Sequence, residues 1–354
     1  MKTSIDLGHE LPLKKAVERT KYQEQALENG RKIIKPKEDL IKGEIEIFTD
    51  HDLEVGYEKA SVLYKIAFPF MCFMMILGVL QTLFYLALGK KKAVKERRLP
   101  KNPGLFWSGL SSSCKRIREH VATHRALDVV YFFEKIIPTL KGLDKWVSVF
   151  WLKRVMINTK AVRNRLKLVH KALLQQVIDY SQETGKKEIN LLSVACGSAP
   201  AVFEVAKKFQ QNGIRLSVTL LDLDEEALEY CANMADEIGI QVTLVNASTR
   251  SLSDYFRREQ FDIVEMVGFL DYRNHDQSMV LLTNIRNLLK KCGRLLTANI
   301  VWNSEVPFMN FVVSWPMNYK KPVTLAAIGK AAGFRETKVI VEPIGIHAVA
   351  ICKK

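Results

Sequence analysis

Close cysteine spacing is absent from this chain. Its six cysteines, Cys72, Cys114, Cys196, Cys231, Cys292 and Cys352, are scattered without a C-x-x-C pair, which excludes the common structural zinc patterns and makes a reducing compartment the simpler setting. His120 and His124 stand one helical turn apart, yet no third histidine or carboxylate is placed to complete a metal site, so no metal is expected. A secretory signal is lacking too, because about 65 residues precede the first long apolar run and no small-residue cleavage site follows it. Core material is not scarce. At 354 residues and 48% hydrophobic content, the chain supports one full domain plus extra elements.

Charge is missing between Lys65 and Lys90. The stretch IAFPFMCFMMILGVLQTLFYLALG, residues 66–89, has the length of a helix of roughly 36 Å, enough to cross a bilayer core of about 30 Å. A buried core helix usually shows a polar stripe, and this one has only Gln81, Thr82 and small or imino residues, so a transmembrane helix is expected. The flank EIEIFTDHDLEVGYEK is mainly acidic and GKKKAVKERRLPK follows the run. The positive-inside rule then places everything after Lys90 in the cytoplasm and the N-terminal tail, residues 1–65, on the other side. The net charge of +15 is concentrated here: Lys90 to Lys167 hold 20 Lys and Arg against five Asp and Glu. Bases beside a membrane helix are drawn to anionic headgroups by about 1 kcal/mol each, so a membrane partner accounts for the charge without nucleic acid.

Residues 90–180 form a basic helical region, with apolar positions 162, 166, 169, 173, 174 and 177 on one helix stripe. From residue 181 the order becomes strand, helix, strand, helix. EINLLSVA, RLSVTLLD, QVTLVN, FDIVEMVG and RLLTANIV are strands spaced by helices, and TKVIVEP and GIHAVAICKK form a closing pair around a tight turn. The implied fold class is α/β: a doubly wound, seven-stranded, mostly parallel sheet with a C-terminal antiparallel hairpin over residues 181–354.

Ligands of such sheets bind where strands end and helices begin, and the first such turn needs small residues so that backbone approaches the ligand. Cys196–Gly197–Ser198–Ala199 supplies them, and about 25 residues later the second strand ends in Asp222, where a carboxylate can meet a ribose diol. LLSVACGSAPAVFEVA followed by VTLLDLDEEALEYC resembles motifs I and II of the class I S-adenosylmethionine-dependent methyltransferases, over roughly residues 160–354. The resemblance implies S-adenosyl-L-methionine as cofactor and assigns its contacts to Ser193, Ala195, Cys196, Gly197, Ser198, Asp222, Leu223, Asn246 and Ala247. Ser193 stands where the family often has an acid near the methionine amino group, and Ala195 and Ala199 where it has the first and third glycines. Asp222 matches the ribose-binding acid, Asn246 and Ala247 the position beside the adenine edge.

GFLDY, within VGFLDYRNHD, is similar to a G-L-x-D-Y pattern of a bacterial branch that includes enzymes suggested to make fatty-acid-derived methyl esters. Methyl transfer from a sulfonium mainly requires alignment and exclusion of water. For a hydroxyl or amine acceptor, Asp271 or His275 can take the proton, and a carboxylate acceptor needs neither. Arg163 and Arg165 either meet an anionic group of cofactor or substrate or form a solvated helix face. Trp302, Phe308, Trp315 and Tyr319, in the long insertion after the fifth strand, either wall an apolar, lipid-like acceptor or pack as a lid. No N/D-P-P-Y/F run and no Pro-Cys nucleophile follows the fourth strand, which speaks against nucleic-acid methylation. A membrane-anchored methyltransferase, a catalytically silent scaffold with its fold, and another transfer from the same cofactor remain the readings.

Overall fold

The computed structural model describes residues 45–91, 105–210 and 213–354, apart from the side chains of 105 and 106. Most of the expected N-terminal tail therefore lies outside the described residues. The described chain divides into two units: residues 45–57, 165–301 and 318–354 in one, residues 58–164 and 302–317 in the other.

The first unit holds one eight-stranded sheet. Its strands are β1 (Ile45–Thr49), β2 (Glu188–Val194), β3 (Arg215–Asp222), β4 (Val242–Asn246), β5 (Phe261–Met266), β6 (Leu289–Ile300), β7 (Glu336–Val341) and β8 (His347–Lys353). Their order across the sheet is β1-β7-β8-β6-β5-β2-β3-β4, and only β8 runs antiparallel to its neighbours β6 and β7. The α/β class, the mostly parallel sheet and the closing hairpin agree with the sequence pattern. All seven expected strands are present, and β1 is an eighth.

Strand β1 pairs in parallel with β7, from Ile45 opposite Thr337 to Thr49 opposite Val341. It precedes the long apolar helix, here α1 (Val62–Ala87), whereas all its sheet partners follow that helix. Residues 45–57 thus stay with the sheet, which corrects the expectation that the whole N-terminal tail and the sheet lie on opposite sides of a membrane. IEIFT reads as a strand by its alternation, but an edge strand recruited from about 290 residues away carries no local signal of its partner.

Both faces of the sheet are covered, as a parallel sheet of Val, Leu and Ile demands. One face packs on α2 (Ile157–Thr184), through Leu168, Val169, Leu173 and Val177, and on α3 (Pro200–Gln210) and α4 (Glu225–Ile238). The other face packs on α5 (His275–Leu288) and α6 (Pro322–Ala331), through Leu282, Ile285, Leu325 and Ile328. Fully burying each such side chain contributes roughly 1.5–3 kcal/mol. The strand order reverses at β2, between β3 and β5, and in open α/β sheets the ligand crevice lies outside the carboxyl ends of strands at such a reversal.

The second unit is helical. It contains α1, short helices at Ser112–Glu119, His124–Tyr131 and Gly142–Val149, and the segment 302–317. Trp107, Phe133, Trp151 and Phe308 are fully or almost fully buried in it. Phe308 meets Trp107 edge-on at 6.3 Å and Trp151 at 6.1 Å. Of the two expectations for the aromatic insertion, Phe308 follows the packed one, while Trp302 is exposed. Asp144 fixes the start of Ser112–Glu119 by accepting from the Ser112 N–H at 2.8 Å and its hydroxyl at 2.6 Å. These units differ from a domain beginning at residue 181, because α2 supplies core to the sheet from Leu168 onward and 302–317 packs with the helices.

Candidate active site

Strand β2 ends at Val194 and α3 begins at Pro200; the five residues between make the turn. Ala195, Gly197 and Ala199 all have positive φ, at 52°, 52° and 45°. Two of the three are alanines held where glycine is the ordinary choice, at about 1–2 kcal/mol each for a residue with a Cβ. The backbone shape expected of a glycine-rich turn is therefore present with one glycine of the three. Hydrogen bonds enforce it: Cys196 N–H donates to the Leu221 carbonyl at 3.1 Å, and Ala199 N–H donates to the Cys196 carbonyl at 2.9 Å.

Asp222, the last residue of β3, fastens this turn to its neighbour. One carboxylate oxygen accepts from the Gly197 N–H at 2.9 Å and the other from the Asp224 N–H at 3.0 Å. Helix capping falls to Asp224, whose side chain accepts from the Glu226 N–H. A carboxylate offers about four acceptor sites, so Asp222 retains capacity for hydroxyl donors while bracing the turn. Ala247 N–H donates to the Asp222 carbonyl at 3.0 Å, and the Asn246 amide donates to the Leu223 carbonyl at 3.2 Å. The structure thus brings Cys196, Gly197, Asp222, Leu223, Asn246 and Ala247 together at one sheet edge. Leu223 and Asn246 are exposed there, while Ser198 and Ala247 are buried.

Ser193 is fully buried one pleat below the turn, in register with Glu265 of β5. Its hydroxyl donates to the Glu265 carboxylate at 2.5 Å. Burial pushes the Glu265 carboxyl up to about 7, against the opposing effects of the Ser193 hydrogen bond and the field of Arg165. Sequence reasoning missed this residue, although an acid inside the apolar run FDIVEMVG is the kind of buried charge that marks a site. The Cys196 thiol is raised far above its usual range by its hydrogen bond with Cys231 and by burial, which disfavours the thiolate.

Asp271 is buried with its acceptors engaged. One oxygen accepts from the Ile300 N–H at 2.7 Å, and the other faces Arg165 at 3.5 Å. Its carboxyl is raised by burial, with Arg165 and the Ile300 hydrogen bond opposing. Lys320 locks the same corner, donating to the carbonyls of Leu270 and Arg273 at 2.8 Å each and to the Asn299 side chain at 2.9 Å. Desolvation lowers the Lys320 ammonium to about 8. His275 opens α5 as its first residue and is exposed; Asn274, not His275, caps that helix, in a capping box with Gln277. Arg163 and Arg165 are both buried rather than solvated: Arg163 pairs with Glu58 within the helical unit, and Arg165 with Asp271 within the sheet unit.

Among solved structures, the chain resembles a possible exported protein from Bordetella parapertussis at 15% identity, with a TM-score of 0.50 over 70% of this chain and 96% of that one. Magnesium protoporphyrin IX methyltransferase from Synechocystis PCC 6803, with bound SAM, aligns at 13% identity and a TM-score of 0.42, over 64% of this chain and 97% of that one. The DszA carbon methyltransferase aligns at 17% identity and a TM-score of 0.49, over 75% and 70%. Likeness at these identities is one of fold. No curated protein matches the chain. Residues 191–293, the span that carries the Ala195–Ala199 turn, Asp222, Asn246, Glu265 and Asp271, match the family model of the methyltransferase domain.

Proposed function

We propose that the protein transfers a methyl group from S-adenosyl-L-methionine to a small, apolar or lipid-like acceptor at a membrane surface with anionic headgroups. The single observation that carries the cofactor assignment is the Gly197–Asp222 bond, which sets a small-residue turn against a carboxylate at the reversal of strand order. The residues fit an adenosyl ligand. Asp222 keeps acceptor sites for the ribose hydroxyls, Leu223 directly after it and Asn246 and Ala247 at the next strand end stand ready for the adenine, and Glu265 beside Ser193 offers a buried acceptor for an ammonium group. When bound, the cofactor supplies a methyl group on a sulfonium.

The chain's own part in the reaction is alignment. The turn and Asp222 hold the donor, while Asp271, tied to Ile300 and Arg165, fixes the end of β6. We assign Asp271 a positioning role, since both its oxygens are engaged. His275, exposed in the first turn of α5, is the group free to take a proton from a hydroxyl or amine acceptor; a carboxylate acceptor needs no base.

Titration calorimetry of the full chain with S-adenosylmethionine and its demethylated product tests the cofactor reading, and absence of heat at millimolar ligand overturns it. The alanines at the turn favour a second reading, a catalytically silent module with the same fold. Binding without label transfer from radioactive cofactor to any component of a membrane extract would decide for that module.

A further inference from the structure

The helix α1 leaves an apolar face uncovered. Ile66, Phe73, Ile76, Leu80 and Phe84 are all 51–70% exposed, while Met71, Met74 and Gly78 are buried. The covered side is tightly held within the helical unit: a Cβ at Gly78 would stand 2.8 Å from the Phe311 carbonyl oxygen, and Phe70 stacks on Trp151 at 6.3 Å. No charged side chain lies on α1 beyond Lys65. Soluble monomers rarely expose a contiguous apolar stripe of this kind.

Chain connectivity restricts what can cover it. Residues 45–57 share one sheet with residues 188–354. The chain therefore leaves the sheet unit before α1 and is back in it at Arg165. A bilayer crossed once between those points would strand the two parts of one sheet on opposite sides. Among the described residues, α1 is the one helix long and apolar enough to cross, and LGKKKAVKERRLPKNPG, residues 88–104, is too charged to return through hydrocarbon. Segment 302–317, whose Phe311 backbone meets the middle of α1, leaves the sheet unit after Val301, and the chain is back in that unit at Asn318. Its 16 residues are too few for two crossings, which need about 9–11 extended residues each, and the backbone on either side of its helical turn, 306–313, could not face lipid.

We infer that α1 does not cross the bilayer: it lies in one leaflet by its Ile66–Phe73–Leu80 face, with both of its flanks on the same side and Lys90 and Lys91 at the headgroups. This inference rests on the proposed membrane location and replaces a single crossing with one-sided insertion. The seven Lys and Arg from Lys90 to Lys101, against the single acid Glu96, are the charge complement that selects an anionic leaflet as occupant.

The test uses the full chain carrying one epitope inserted at Leu53 and another after Lys354. In sealed vesicles prepared from expressing cells in both orientations, protease reaches both epitopes together or neither; digestion of one while the other is protected overturns one-sided insertion but leaves the membrane location standing. Purified protein floats with vesicles containing phosphatidylserine, and F73E combined with L80E reduces the bound fraction at least tenfold with circular dichroism unchanged. Unaltered flotation of that variant overturns the assignment of the face. Wild-type protein that ignores vesicles and forms a dimer dissolved by the same substitutions assigns the face to a second copy, and overturns both the inference and the membrane location.

Discussion

The Ser193 hydroxyl and the Glu265 carboxylate occupy paired positions on β2 and β5 and share a hydrogen bond of 2.5 Å. Burial holds the Glu265 carboxyl at about 7, above its ordinary value of 4.5. In the folded chain it keeps a proton that the unfolded chain has already lost. Its contribution to stability is therefore present below pH 4.5 and is lost as pH rises through about 7. The melting temperature of the ligand-free protein should fall between pH 5 and pH 8, and Glu265→Gln should flatten that slope. A variant whose slope equals that of the wild type would remove Glu265 as its source. If the cofactor's ammonium meets this carboxylate, affinity should rise across the same window in the wild type and stay flat in the variant.

Asp222→Ala removes two hydrogen bonds at once, those from Gly197 and Asp224. Both donors sit at the partly exposed sheet edge, where water replaces the lost acceptor in part, so the expected loss of stability is about 1–3 kcal/mol. Cofactor affinity should drop by at least about 100-fold, the equivalent of roughly 2.7 kcal/mol, because the turn loses its brace and the ribose its acceptor. Calorimetric titration and denaturant unfolding of the same preparation separate the two effects. Unchanged affinity would remove Asp222 from the site.

Ala195 and Ala199 invite the opposite change. Their φ values of 52° and 45° are strained for alanine by about 1–2 kcal/mol each, while glycine adds about 0.4–1 kcal/mol of unfolded-state entropy. Each Ala→Gly replacement should therefore raise stability by up to about 1.6 kcal/mol in urea unfolding. A double variant less stable than the wild type would mean that the two methyl groups are needed for packing.

Strand and helix periods made nearly all of the sheet legible in the sequence, because seven strands and their helices lie consecutively from Glu188 to Lys353. The turn and Asp222 were legible for the same reason: their place is fixed by the end of an apolar run. What escaped depended on partners distant in sequence. Strand β1 reads as five unremarkable residues until β7 is beside it. The hydrophobicity of α1 was plain, but the return of residues 45–49 to the sheet that follows it was not, since that pairing lies with β7. Glu265 and the burial of Arg163 and Arg165 were hidden because neither Ser193, Glu58 nor Asp271 is local to them.

Glu305 offers the last test, in the helical unit. It is fully buried, and its carboxylate accepts from the N–H groups of Ile157 and Asn158 at 2.9 Å each and from the Asn158 amide at 2.8 Å. These are the first backbone donors of α2, which have no partner within the helix, so an acid from nearly 150 residues away serves as its cap. Glu305→Ala leaves these donors buried without an acceptor and should cost about 3–5 kcal/mol. Glu305→Gln retains one carbonyl oxygen and should cost less. Burial also lifts this carboxyl to about 7, so its contribution, like that of Glu265, is complete below pH 4.5 and lost as pH climbs past 7. Urea unfolding at pH 5 and pH 8 should show the wild type losing more stability than Glu305→Gln over that interval. Equal losses would mean that the carboxyl is already ionised at pH 5, held so by the helix terminus it caps.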